Sequence, residues 1–290
     1  MGVETTELCW LNGRIIPLAD AKISIEDRGF QFADGVYEAV RIYRGKPFAL
    51  QAHLDRLENS RNGLQLPMPI ERQPLTNEVM EYLRGSGVQE GLLYFQLTRG
   101  VARRNHLFPK QPVAPTFLLY CWPLPPVTQP ADQKGAKLLS VPDERWRKCW
   151  IKTIGLTANV LARNEAAAAG AEEAAFVDEH GIVAECTSSN LFFVMDGVLV
   201  THPVGARVLP GITRDLVIDC ARQSGIAVQE RPVHVDEAKR AAEVFITSTT
   251  RQVIWVNRWD DPQVGGGRCG EITIKLAEAL QRRIDVETAG

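Results

Sequence analysis

The sequence predicts an α+β fold in two domains, and three observations predict it. Short β-rich segments and amphipathic helical segments occur together without the strict strand–helix–strand alternation of a parallel doubly wound sheet. One proline-rich stretch, residues 123–130, separates a mixed first half from a second half in which strands dominate. No internal repeat is present. We place an N-terminal α/β domain at residues 1–122, a linker at 123–135 and a C-terminal α/β domain at 136–290.

In the first half, residues 8–17 carry two apolar runs around Asn12 and Gly13, a strong hairpin signal. A Gly- and polar-rich loop from Ile25 feeds a strand from Val36 to Tyr43, which Arg44 and Gly45 turn back. Leu50, Leu54 and Leu57 share one face of a helix that closes at Gly63. Pro67 and Pro69 separate it from a second helix, with Leu75, Val79, Tyr82 and Leu83, that stops at Gly85. Leu92–Thr98 and Thr116–Trp122 read as strands, and the loop from Arg99 to Pro109 between them is dense in cations.

In the second half, strands are expected at Ala136–Val141, around Lys152, and at Ala174–Val177, Ile182–Glu185, Leu191–Met195, Val198–Thr201 and Glu243–Thr250, with Asp196 and Gly197 making a hairpin. Helical periodicity runs from Leu156 through Val160, Leu161 and Ala168 to Gly170. A helix opens at Gly211 with Leu216, Val217, Cys220 and Ala221 on its apolar stripe, and the last helix spans Ile272 to Ile284.

Bulk properties exclude several classes of function. With 290 residues, 45% hydrophobic and 23% charged, a sizeable core is available. The net charge of −2 gives no polyanion-binding surface, so no nucleic-acid partner is expected. No apolar leader or membrane-length apolar run is present, and six cysteines lie scattered without metal-ligand spacing. Free thiols in a reducing cytoplasm, no membrane contact and no metal are the expectation.

Lys152 is the candidate reactive residue. Ile151 and Ile154 flank it, and Trp146, Cys149 and Trp150 lie just upstream. An apolar flank disfavours the ammonium, which is the condition for a Schiff-base lysine. Glu185 ends an apolar strand before a hydroxyl- and amide-rich turn, and a carboxylate there keeps a pyridine nitrogen protonated. Gly211, Ile212 and Thr213 open a helix whose free amides and dipole favour a phosphate. Ser248 and Thr249 would add hydroxyls, and Arg56 a positive charge. Tyr37, Arg104 and His106 are donors suited to a substrate carboxylate, although read alone the loop, which also holds Arg99 and Arg103, is equally a solvated basic one.

Together these stretches resemble the fold-type IV pyridoxal-phosphate enzymes, most closely the D-amino-acid transaminases, over nearly the whole chain. The resemblance is carried by residues 26–38, 94–100, 104–106, 185–190, 211–214 and 247–250. It implies two α/β-type domains with the cofactor between them, a homodimer, and Lys152 as the covalent anchor that later shuttles a proton. It also implies Glu185 on the ring nitrogen and Leu209 on the ring face, with Arg56, Ile212, Thr213, Ser248 and Thr249 around the phosphate. Tyr37, Arg104 and His106 would trap the carboxylate, the Arg and His coming from the partner subunit. Relatives often read Arg-Cys-Asp-Ile-Lys-Ser-x-Asn at the anchor, where this chain has Lys148, Trp150, Thr153 and Gly155, and Cys186 replaces a residue often small.

The expected activity is transfer of the amino group from a D-amino acid of the D-alanine, D-glutamate or D-aspartate class to a 2-oxo acid such as 2-oxoglutarate or pyruvate, with pyridoxal 5'-phosphate as cofactor. Rivals on the same scaffold are an L-branched-chain aminotransferase, an (R)-amine transaminase and aminodeoxychorismate lyase. A non-catalytic cofactor-binding protein is the rival of another class. Arg104 and His106 with Tyr37 favour the D-amino acids.

Overall fold

A computed structural model describes residues 7–289, and it divides into two compact units. The first comprises Met1–Pro126, Ile151–Gly155 and Glu287–Gly290. β1 (Leu8–Leu11) and β2 (Arg14–Pro17) form the expected hairpin. Asn12 and Gly13 take φ values of 49° and 88°, the left-handed region that Asn and Gly enter at least cost. α1 (Arg28–Phe32) is capped by Asp27, whose carboxylate accepts the Gly29 N–H at 2.8 Å. β3 (Gly35–Tyr43) and β4 (Lys46–Pro47) precede α2 (Leu50–Gly63) and α3 (Arg72–Ser86), and β5 (Gly91–Thr98) and β6 (Thr116–Pro123) follow.

The antiparallel sheet runs β2-β1-β6-β5-β3-β4. α2 packs on β3, where Val36, Glu38 and Val40 are buried with Leu93, Phe95 and Leu97 of β5. The opposite face carries half-buried Tyr37, Tyr94, Tyr120 and Trp122 in contact, with centroids 5.6, 5.5 and 5.2 Å apart in turn.

The second unit comprises Val127–Trp150 and Leu156–Val286. In order it holds β7 (Ala136–Pro142), α4 (Thr157–Ala168), β8 (Glu173–Val177), β9 (Ile182–Cys186), β10 (Asn190–Met195), β11 (Val198–Thr201) and α5 (Ile212–Gln223). Then come β12 (Val228–Glu230), β13 (Val233–His234), α6 (Val235–Lys239), β14 (Glu243–Ser248), β15 (Gln252–Trp259) and α7 (Glu271–Thr288). One mixed sheet runs β12-β11-β10-β14-β15-β7-β8-β9-β13. Its core gathers Leu138, Phe193, Val244, Ile246, Val256 and Trp259. No helix among the described residues is long and apolar enough to cross a membrane.

Two expectations need correction. Lys152 lies in irregular chain, not on a strand. Its C=O accepts the Tyr37 N–H at 3.0 Å, but pairing to β3 stops at one isolated bridge, Thr153 to Val36. The apolar stripe of α4 is also reversed: Val160 and Leu161 are 56% and 67% exposed, while Ala162 and Ala166 pack with Val141, Ala174 and Phe176. The small methyl groups let α4 approach β7 and β8 closely, and the larger side chains face out. β15 was not anticipated, because Asn257 and Arg258 interrupt its apolar alternation.

Candidate active site

Within the first unit, Lys152 is half-buried and its Nζ lies 4.2 Å from the centroid of the Tyr37 ring. Its backbone is fixed on both sides: the Lys152 N–H donates to Ser60 Oγ at 3.1 Å, and the carbonyl holds Tyr37. The lysine head therefore stands over one aromatic ring on a backbone tied to both α2 and β3.

Arg56 and His53, one turn apart on α2, converge on Glu38 of β3. Arg56 Nε and Nη2 donate to the two Glu38 oxygens at 2.7 and 2.8 Å, and His53 Nδ1 lies 2.7 Å from Oε2. All three are buried. Burial pushes the Glu38 carboxyl up, but the Arg56 charge and the hydrogen bonds from Arg56 and His53 outweigh it and hold it at about 2. Burial lowers His53, more than the neighbouring Glu38 raises it, so the ring is neutral at pH 7. Arg56 is thus one half of a fixed bidentate pair.

Arg104 and His106 are exposed on the β5–β6 loop. Both approach Phe32 of α1: the Arg104 guanidinium lies 4.4 Å from the ring centroid and the His106 ring 5.5 Å. Tyr37 sits under Lys152 and against Tyr94. The loop carrying Arg104 is shaped by buried charges. Arg28 donates to the Asn105 carbonyl at 2.6 Å and to Asp34 at 2.8 Å, and Arg99 grips both Asp34 oxygens at 2.7 and 3.0 Å. Burial raises the Asp34 carboxyl, and the bonds from Arg99 and Arg28 outweigh this and hold it below the ordinary carboxylate range.

In the second unit, Glu185 is buried at the end of β9. Arg145 Nη1 donates to its Oε1 at 2.5 Å; the Leu209 N–H and Asn190 Nδ2 donate to its Oε2 at 3.0 and 3.1 Å. Asn190 Nδ2 also reaches the Leu209 carbonyl at 3.0 Å, which pins Leu209 beside the carboxylate. These donors, one of them charged, fix both carboxylate oxygens of Glu185 in one orientation.

α5 packs on β14, so the helix N-terminus with Ile212 and Thr213 shares its surroundings with Ser248 and Thr249 at the strand's end. The N-cap, Gly211, supplies no side-chain cap to the first amides. A Cβ on Gly211 would stand 2.0 Å from Asn190 Oδ1, so only glycine fits beside the residue that braces Glu185. Ser189 Oγ and Thr247 Oγ1 are buried without a hydrogen-bond partner. Asn190 and Thr247 are cross-strand partners, which brings both hydroxyls to the Glu185 end of the sheet.

The chain matches the amino-transferase class IV family over residues 35–259. It is 37% identical over 278 residues to the D-alanine aminotransferase of Bacillus licheniformis, covering 96% of this chain and 97% of that one. It belongs to the class IV aminotransferases. The D-alanine aminotransferase of Staphylococcus haemolyticus is also 37% identical, over 95% of this chain and 97% of that one. Among solved structures, a T.th. branched-chain amino acid aminotransferase with pyridoxamine 5'-phosphate superposes with a TM-score of 0.88 at 30% identity, covering 96% of this chain and 94% of that one.

In this class IV chain the sequence reading missed the residues that hold the site rather than form it. Arg145 lies in the lysine stretch, but nothing in the local sequence marks it as the partner of Glu185. Asp143 grips Arg145 through Nε at 2.9 Å and Nη2 at 3.1 Å, a second contact that only the fold reveals. The pairing of His53 with Arg56 on one helix face was legible as spacing; their shared partner Glu38, on a strand, was not.

Proposed function

We propose that the chain is a pyridoxal 5'-phosphate-dependent transaminase that moves the amino group of a D-amino acid to a 2-oxo acid. Glu185 carries the reading: a buried carboxylate oriented by donors from Arg145, Asn190 and Leu209 suits a protonated pyridine nitrogen. The 37% identity to D-alanine aminotransferases over nearly the full length supports the D-amino-acid class. The unpartnered hydroxyls of Ser189 and Thr247, with the uncapped amides of α5, fit a phosphate ester. Ile212, Thr213, Ser248 and Thr249 would hold that phosphate, Arg56 would add positive charge, and Leu209 would pack on the ring.

When bound, this cofactor supplies an aldehyde carbon that receives the amino group and a pyridinium that accepts negative charge. Lys152 would anchor that carbon, and its Nζ, once displaced from it by the substrate amine, would take the proton from the substrate Cα. Glu185 holds the proton on the ring nitrogen. Tyr37, Arg104 and His106 fix the α-carboxylate, so one Cα–H faces Lys152. Arg104 and His106 group on Phe32 on an exposed loop, which suits a trap completed by the partner subunit of a homodimer. Ile25, Phe30 and Leu107, 78%, 75% and 71% exposed around that loop, are the apolar surface such a partner covers. Residues 123–135 serve as the interdomain linker between domains 1–122 and 136–290, and buried thiols suit a cytoplasmic site of action.

The second reading is an L-branched-chain aminotransferase, favoured by the TM-score of 0.88 to the T.th. branched-chain enzyme. A spectroscopic screen of half-reactions decides. The holoenzyme should convert to its amine form with D-alanine, D-glutamate or D-aspartate and release the 2-oxo acid. A faster conversion with L-leucine or L-valine than with any D-amino acid would assign the second reading instead.

A further inference from the structure

An unbroken chain of ion pairs leads from the protein surface to Glu185. Exposed Glu179 accepts from Arg147 at 3.1 Å and from Arg207 at 2.8 Å. Arg207 also approaches Asp178 at 3.6 Å and Asp143 at 3.4 Å. Asp143 accepts from Arg145 through both oxygens, and Arg145 reaches Glu185 at 2.5 Å. The last three of these residues are almost wholly buried: the side chains of Asp143, Arg145 and Glu185 are 2%, 5% and 8% exposed. Arg145 also donates to the Arg207 carbonyl at 2.9 Å, and its guanidinium lies 4.1 Å from the Phe176 ring centroid. Four protein contacts therefore fix one guanidinium in a single pose.

We propose that Arg145 is the positioning residue that keeps the shared proton on the ring nitrogen of the cofactor rather than on Glu185. This rests on the reading of Glu185 as that nitrogen's partner. The argument is one of competing basicity. A proton between a pyridine nitrogen and a carboxylate rests on the stronger base. Leu209 and Asn190 each draw on Oε2 as neutral donors, whereas Arg145 draws on Oε1 with a full positive charge. Arg145 is thus the charged donor set against two neutral ones, and it leaves Oε2 in a fixed orientation.

A bare guanidinium so close would also repel a pyridinium, and Asp143 answers that difficulty. Its bidentate grip cancels the Arg145 charge at a distance while leaving Nη1 aimed at Oε1. Counting Glu185, Asp143, Asp178 and Glu179 as negative and Arg145, Arg207 and Arg147 as positive leaves one net negative charge for the pyridinium. Arg145 thereby acts through Glu185 without touching the cofactor, and Asp143 makes that action electrostatically tolerable.

The test uses holoenzyme loaded with cofactor labelled with ¹⁵N in the ring, whose nitrogen resonance separates protonated from neutral pyridine. Wild type, Arg145→Met, Arg145→Lys and Glu185→Gln are compared, each by the ¹⁵N resonance and by kcat and KM with D-alanine. In Arg145→Met the resonance should move toward neutral pyridine, with kcat falling about tenfold or more and KM little changed. Lysine keeps the cation but forms no fork with Asp143, so Arg145→Lys should recover part of the protonated signal and part of kcat. A protonated resonance retained in Arg145→Met despite a fall in kcat makes Arg145 merely structural and overturns the proposal. If the Met variant does not fold, Arg145→Lys decides alone: a wild-type resonance with wild-type kcat overturns it. Glu185→Gln separates the two ideas. A protonated resonance there removes Glu185 from its role, whereas a neutral one beside an unaffected Arg145→Met removes only the role of Arg145.

Discussion

Lys152 Nζ lies 4.2 Å from the centroid of the Tyr37 ring, and the Tyr37 N–H donates to the Lys152 carbonyl. The two residues are far apart in sequence, yet each fixes the other: the strand sets the lysine backbone, and the ring supports its head. An ammonium is attracted to the ring face, whereas a neutral amine rests there by dispersion. The ring therefore accommodates the lysine in both forms that a covalent anchor passes through.

The first prediction follows from that placement. Purified holoenzyme should be yellow, and borohydride should fix the cofactor to Lys152. Peptide mass mapping checks it: an adduct on another lysine, or none, would end the assignment of Lys152.

How much of this was legible in the sequence depends on the range of the interaction. The β1–β2 hairpin was readable because Asn12 and Gly13 carry their backbone preference with them. α2 was readable because Leu50, Leu54 and Leu57 repeat at helical spacing and are all buried. The location of Lys152 was readable, but the lack of a strand there was not: one bridge from Thr153 to Val36 and a bond from the Lys152 N–H to Ser60 replace a ladder, and both are tertiary. Val160 and Leu161 satisfied the same periodicity as a core stripe, and tight packing of Ala162 and Ala166 reversed the face. Arg145, Asp34 and Glu38 act through partners distant in the chain, so no local pattern marks them.

The second prediction concerns acid. Glu38 is held at about 2 in the folded protein, below its ordinary 4.5, so its pairing stabilises the fold above pH 4.5 and that contribution is lost as pH falls toward 2. Full loss is worth about 3 kcal/mol. His53 is also lowered, because burial favours the neutral ring, so its contribution is present above its ordinary 6.5 and begins to fade as pH falls below it. Both effects have the same sign. The midpoint of urea unfolding of the protein should fall from pH 7 to pH 5.5 and more steeply toward pH 4. Glu38→Gln leaves the buried Arg56 without its carboxylate, so it should cost about 3–5 kcal/mol at pH 7 and flatten the dependence below pH 4.5. A variant with the wild-type midpoint at pH 7 would show that the pair contributes nothing net.

The last prediction joins handedness to the subunit interface. A guanidinium meets a carboxylate with a planar fork of donors, so the loss of Arg104 should cost the carboxylate trap most. Arg104→Ala should lower kcat/KM for D-alanine by about 2–3 kcal/mol, mainly through KM, and leave the absorbance of the bound cofactor unchanged. Arg104 packs on Phe32 and Tyr37 lies under Lys152, and the proposed trap takes its arginine from the partner subunit. Mixing Lys152→Ala with Arg104→Ala then tests the arrangement. In a hybrid dimer one site receives an intact lysine from one chain and an intact Arg104 from the other. An equal mixture after full subunit exchange should regain about a quarter of wild-type activity, since half of the dimers are hybrids and each has one complete site. If exchange is demonstrated by mass and no activity returns, Arg104 serves the lysine of its own chain, and the exposed loop that carries it has another role.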